Sequence, residues 1–135
     1  MRVYLCGPMT GCTDEEASGW RKEASLRLSR WSILCLDPMV RDYRNNYTLE
    51  NSKAIVEEDK LDIQLSDVVL VNYYKPSVGT SMEIIHAWER NRRVILVCAE
   101  GTQLSPWLIY HSHNIYHTFE EAYQKIRELQ LTEDL

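Results

Sequence analysis

Short apolar runs recur along the chain, each followed by a segment of helical character. "RVYLC" (Arg2 to Cys6) is closed by Gly7-Pro8 and predicts a buried strand. "TDEEASGWRKEASLRLSRW" predicts a helix capped by Thr13 or Asp14, with acids in its first turn and bases after them. "SILCLDP" predicts a second strand, stopped by Pro38. "MVRDYRNNYTLEN" is polar and irregular, a loop on the substrate side. "SKAIVEEDKLDIQLS" predicts a helix with Ile55, Leu61 and Leu65 on one face. "DVVLVNYY" is a third strand, "TSMEIIHAWERN" a helix and "RRVILVCA" a fourth strand. "SPWLIYHS" predicts a short helix, "NIYH" a short edge strand and "TFEEAYQKIREL" a final amphipathic helix.

The strands read as continuous apolar runs rather than alternating ones, which indicates a parallel sheet covered on both faces. The fold expected is therefore α/β: a doubly wound, flavodoxin-like five-stranded parallel sheet with helices on both faces, in one domain over residues 1–135. Ligands of such sheets bind beyond the carboxyl ends of the strands. Three segments are expected there: Gly7 to Gly11, Asn72 to Glu83, and Gly101 to Ser105.

Composition narrows the function classes. A length of 135 residues suits one core. The net charge of −5 argues against a broad nucleic-acid-binding surface. No apolar run is long enough to span a bilayer, and "MRVYLCGPM" reads as a strand rather than a signal peptide. Cys6, Cys35 and Cys98 lie in strand-like runs, and the cysteines and histidines show no metal spacing. A reduced, cytoplasmic protein without a metal or other cofactor is expected.

The candidate chemistry is carried by a few residues. The glycine-bearing turn "CGPMTG" exposes backbone N–H groups at a helix start, an arrangement that suits an anion; a tight turn needing glycine has the same pattern. Asp59, in "EEDKLD", lies near the middle of its helix, with Asp62 and Asp67 as alternative acids. Glu83 completes Thr80-Ser81-Met82-Glu83, which fits the S/T-x-x-E capping box. The same position suits a nucleophile, since a helix N-terminus favours the ionised form. Tyr43, Tyr47, Tyr73 and Tyr74 lie near loops and are available either to stack on a base or to pack at edges.

Taken in order, "VYLCGPMTG", "EEDKLDIQLSDVVLV", "PSVGTSMEIIHAWERNRRVILV" and "LSPWLI" resemble the nucleoside 2-deoxyribosyltransferase superfamily, which includes the 2'-deoxynucleoside 5'-phosphate N-hydrolases. The resemblance covers roughly Arg2 to Leu108 and leaves Val40 to Asn51 unmatched. It implies that Glu83 is the nucleophile, that Asp59 is an acid/base near the nucleobase, and that Tyr4 orients the nucleophile. It also implies substrate binding by Gly7, Met9, Thr10, Gly11, Ser77, Gly79 and Ser105. Transferases acting on free nucleosides carry an aspartate where this chain has Ser77; the hydrolases carry a serine that contacts the 5'-phosphate. Ser105 matches a serine donated across a dimer interface.

The resemblance thus implies cleavage of the N-glycosidic bond of 2'-deoxynucleotides through a covalent glycosyl–glutamate. Base exchange between deoxynucleosides is the alternative within the class, and a non-catalytic nucleotide sensor is the alternative outside it. The expected partners are a small deoxynucleotide or deoxynucleoside and further copies of the chain, at least as a dimer. One departure stands out: "CGPMTGCTD" has no basic residue, which leaves Arg21 or Arg41 to meet a phosphate.

Overall fold

Strands and helices alternate as the apolar runs predict. The computed structural model describes residues 1–133; Asp134 and Leu135, the end of the expected domain, lie outside the described residues. The elements are β1 (Arg2–Cys6), α1 (Asp14–Ser29), β2 (Leu34–Leu36), a 3₁₀ turn (Pro38–Arg41), α2 (Leu49–Leu65), β3 (Val68–Asn72), α3 (Val78–Glu89), β4 (Arg93–Val97), α4 (Pro106–Tyr110), β5 (Asn114–Tyr116) and α5 (Phe119–Glu133). The five strands are all parallel, in the order β2-β1-β3-β4-β5. This is the doubly wound, flavodoxin-like sheet expected.

Both faces of the sheet are buried, which explains why its strands are apolar throughout. Val3, Leu5, Val68, Leu70, Ile95 and Val97 point towards α1 and α5, packing with Leu28, Ala122 and Ile126. Their strand neighbours Tyr4, Cys6, Val69, Val71, Val94 and Leu96 point the other way, towards Ile63, Ile84, Ala87 and Leu108. The alternation follows from the two-residue period of a strand. It puts Tyr4 and Cys6 on the same face of the sheet as α2 and α3.

Two helices differ from expectation in ways that matter for the site. The buried side of α2 carries Ile63, whereas Leu61 and Leu65 are about half exposed. The inward stripe therefore runs Ile55, Asp59, Asp62 and Ile63, and its two acids are matched by the guanidinium of Arg41. A helix face read from apolar residues alone misses carboxylates that are neutralised in place. Helix α3 begins at Val78, with Ser77 as its N-cap; the Ser77 Oγ accepts from the Thr80 N–H at 3.3 Å. Thr80 is thus already inside the helix, and the Thr80–Glu83 capping box is not formed. A capping box does form at the start of α1, between Thr13 and Glu16.

Arg21 anchors the active-site end of β1. It is fully buried and donates to the carbonyls of Leu5 (3.3 Å), Ala17 (2.5 Å) and Gly7 (2.9 Å), with the Asp37 carboxylate 3.8 Å away. Gly7 is packed so closely that a Cβ there would lie 3.0 Å from the Trp20 ring and 3.2 Å from the Asn72 carbonyl. Replacing Arg21 with methionine leaves three carbonyls and a carboxylate short of a partner, so Arg21→Met is expected to lose roughly 3 kcal/mol of stability. The midpoint of urea unfolding measures this; a variant as stable as the wild type contradicts the anchoring role.

Candidate active site

The cleft lies at the carboxyl ends of β1 and β3, where the connections leave in opposite directions. A cavity of about 240 Å³ opens there. Gly7, Met9 and Thr10 form one wall, and Pro38 and Arg41 of the 3₁₀ turn form another. Helix α2 contributes Ile55 and Asp59, and α3 contributes Ser77, Gly79, Thr80 and Glu83. The loop that sequence reading could not match supplies Tyr43 and Tyr47. That loop is pinned across the mouth: Tyr47 Oη and Thr10 Oγ1 are 2.9 Å apart, and Arg44 bonds Asp42, Asp14 and the Cys12 carbonyl.

Glu83 lies in the second turn of α3, free of any capping role, with Asp59 across the cleft on α2. Glu83 keeps a partly exposed surface on the cavity but is otherwise enclosed by protein. Burial, and then the charge of Asp59, push its carboxyl up to about 7; Tyr4, Cys6 and Arg21 favour the ionised form and limit the rise. Tyr4 lies beneath the cleft, fully buried. Its hydroxyl is close enough for burial and the Glu83 charge to hold its own pKa well above the usual phenol value, yet it makes no hydrogen bond of normal geometry in this conformation. Asp59 is raised by burial, against the pull of Arg41, whose Nη2 bonds its Oδ1 at 3.0 Å. Arg41 also bonds Asp62 at 2.8 Å and pairs with Glu58 at 2.8 Å.

Of the residues singled out from sequence, Glu83, Asp59, Gly7, Met9, Thr10, Ser77 and Gly79 line one cavity. Gly11 and Ser105 do not. Gly11 has φ +72°, a left-handed conformation that favours glycine, and it turns the chain outward. Ser105 caps α4, accepting from the Trp107 N–H at 3.2 Å. It follows β4, one strand farther from the point where the connections diverge, so the Gly101–Ser105 segment does not reach the cavity of its own chain. Arg21 and Arg41, the two cations expected to meet a phosphate, are committed elsewhere: Arg21 to backbone carbonyls and Arg41 to three carboxylates.

A second, larger cavity of about 470 Å³ adjoins the first between α2 and α3. Ile55, Val56, Asp59, Gly79 and Glu83 line both. Its other walls carry Ile63, Met82 and Ile85, beside Lys60, His86 and Glu89. Among the described residues no cluster of three or more histidine, cysteine or acidic side chains is placed to hold a metal ion, and no helix is long and apolar enough to cross a membrane.

Comparisons with known proteins bear on the family and the fold. A family model described as nucleoside 2-deoxyribosyltransferase matches residues 3–129. No curated protein sequence matches the chain. Among solved structures, the 2-deoxyribosyltransferase of the psychrotolerant bacterium Bacillus psychrosaccharolyticus is similar with a TM-score of 0.76 at 15% identity, over 91% of this chain and 90% of that one. The CMP N-glycosidase of Clostridium botulinum gives 0.62 at 19% identity, over 94% and 99%. A conserved protein from Enterococcus faecalis gives 0.73 at 17%, over 94% and 97%. At these identities the likeness is one of fold. The family model spans both walls of the cleft and nearly all of the sheet, and on that match the chain belongs to the nucleoside 2-deoxyribosyltransferase family.

Proposed function

We propose that the protein hydrolyses the N-glycosidic bond of 2'-deoxynucleoside 5'-monophosphates through a covalent glycosyl–Glu83 intermediate. The observation that carries this reading is the pair of carboxylates, Glu83 and Asp59, facing one cavity from two helices with neither spent on a helix cap. In the first step a Glu83 oxygen bonds to C1', the bond from C1' to the base nitrogen breaks, and the base leaves with a proton from Asp59. In the second step water adds to C1', the ester to Glu83 breaks, and the water's proton returns to Asp59. Arg41 holds the Asp59 carboxyl in position. Ser77, whose Oγ accepts from the Thr80 amide, retains its own O–H to donate to an oxyanion. A second base in place of water turns the same intermediate to exchange, the reaction that gives the family its name.

The reading extends to assembly. The larger cavity leaves the carboxylates flanked by an apolar wall on which Met82 is 68% exposed and Val56 49% exposed. A second copy of the chain covers that wall and brings a Ser105 to a neighbour's cleft. Sedimentation at assay concentration is expected to show a dimer or larger; a fully active monomer contradicts it.

The reaction is tested by incubating each deoxynucleoside monophosphate with the protein, with and without an acceptor base. Free base and deoxyribose 5-phosphate are expected. A new nucleotide or nucleoside indicates exchange, and binding without turnover contradicts catalysis. Glu83→Gln is expected to abolish nearly all turnover. Its stability has a pH signature. The Glu83 pKa is raised on folding, so its favourable contribution is present below about pH 4 and is lost as pH rises through about 7. Glutamine has no such loss, so above neutrality Glu83→Gln gains up to roughly 3 kcal/mol on the wild type relative to their difference in acid. An equal difference at pH 4 and pH 8, by urea unfolding, contradicts the burial of that charge.

The first step needs Glu83 ionised and Asp59 protonated, so kcat/KM is expected to be bell-shaped in pH, falling on the alkaline side as the second of the two carboxyls ionises, by about pH 7. Asp59→Asn leaves a single titrating carboxyl, so it is expected to lose the alkaline fall while lowering the rate roughly 10²–10⁴-fold for ordinary bases. An alkaline fall that persists in Asp59→Asn contradicts the acid role of Asp59.

A further inference from the structure

We propose that Lys75 is the cation that recognises the substrate's 5'-phosphate. The inference rests on the nucleotide reading above and supplies what that reading lacks, a positive group for a dianion. Four cations either bond to the residue 7–12 turn or line the smaller cavity: Arg21, Arg41, Arg44 and Lys75. Three have strong fixed partners. Arg21 is buried on carbonyls of β1 and α1. Arg41 is held by Glu58, Asp59 and Asp62. Arg44 is held by Asp42 and Asp14.

Lys75 is different. Among the described residues its ammonium makes no ion pair, and its one hydrogen bond, to the Gly11 carbonyl, is long at 3.5 Å. The Tyr74 ring lies 5.8 Å below it. Lys75 also acts on Glu16, whose carboxylate is occupied with the Thr13 amide in the capping box. Moving Lys75 to a new acceptor therefore costs little.

Lys75 is two residues before Ser77, the cap of α3. It lies outside the cavity lining, and its long bond to Gly11 brings its ammonium to the turn whose Gly7, Met9 and Thr10 form the opposite wall. A phosphate between those walls meets the Ser77 hydroxyl and the first amides of a twelve-residue helix, which have no acceptor within the helix. Thr80, in the same turn, adds a buried hydroxyl without a partner. Hydroxyls and amides alone leave a dianion unneutralised; an ammonium tethered at the rim, with three donors and a flexible stem, completes the set.

The experiment measures kcat/KM for a deoxynucleoside monophosphate and for its nucleoside in wild type, Lys75→Met and Lys75→Arg. Loss of one charge-assisted contact corresponds to about 10- to 100-fold. The ratio of monophosphate to nucleoside is expected to fall by that factor in Lys75→Met, through KM, and to be largely restored in Lys75→Arg. Calorimetric binding of deoxyribose 5-phosphate is a readout independent of turnover and is expected to weaken by the same factor. A wild type that prefers the monophosphate, with the ratio and the binding unchanged in Lys75→Met, overturns the role of Lys75 and leaves the nucleotide reading standing. A wild type that prefers the nucleoside overturns both.

Discussion

The buried guanidinium of Arg21 is the contact on which the catalytic end of the sheet depends. It gathers three carbonyls from the end of β1, the following turn and the first turns of α1. A charge in that position is tolerable because each of the three nitrogens donates to an oxygen and Asp37 lies close by. The consequence is positional: the Gly7 backbone is drawn inward against Trp20 and Asn72, and the turn forms a wall of the cleft. The consequence is also electrostatic, since the same charge favours the ionised form of Glu83. One side chain that never reaches the cavity thus shapes its wall and tempers the Glu83 carboxyl within it.

The opposition between Glu83 and Asp59 has a similar logic. Each carboxyl is enclosed, and the charge of Asp59 adds to the cost of ionising Glu83. Arg41 breaks the symmetry by bonding only Asp59. The pair is therefore biased: the carboxyl on α2 has a cation beside it, while the one on α3 relies on Tyr4, Cys6 and a distant guanidinium.

Much of the architecture was legible because a parallel sheet buried on both faces leaves an unambiguous trace. "RVYLC", "VVLVN" and "RVILV" carry their charged or amide residues (Arg2, Asn72, Arg93) only at their ends, and their order with the intervening helices fixes the layers. Glu83 and Asp59, which line one cavity, were singled out only through resemblance, since the residue types alone did not distinguish a nucleophile from a cap. What stayed hidden depended on pairing across the fold. The inward face of α2 was misjudged because Asp59 and Asp62 are buried by virtue of Arg41, nearly twenty residues away and in another element. The start of α3 was misjudged because Ser77 and Thr80 are equally good caps in sequence, and only the turn leaving β3 selects the first. The wall made by Tyr43 and Tyr47 lay in the one segment without a recognisable pattern.

The central place of β1 bears on the order in which the chain folds. It is synthesised before either of its neighbours, for it pairs with β2 on one side and with β3, residues 68–72, on the other. The Asp67 carboxylate that bonds the Arg2 amide arrives only with that later strand. Until then β1 has a bare apolar edge, and a nascent chain halted before residue 72 exposes the strand most prone to pair with a stranger. Closure of the sheet is thus a long-range event that waits on the middle of the polypeptide, and the rate of folding is set by bringing those distant segments together rather than by the helices between them.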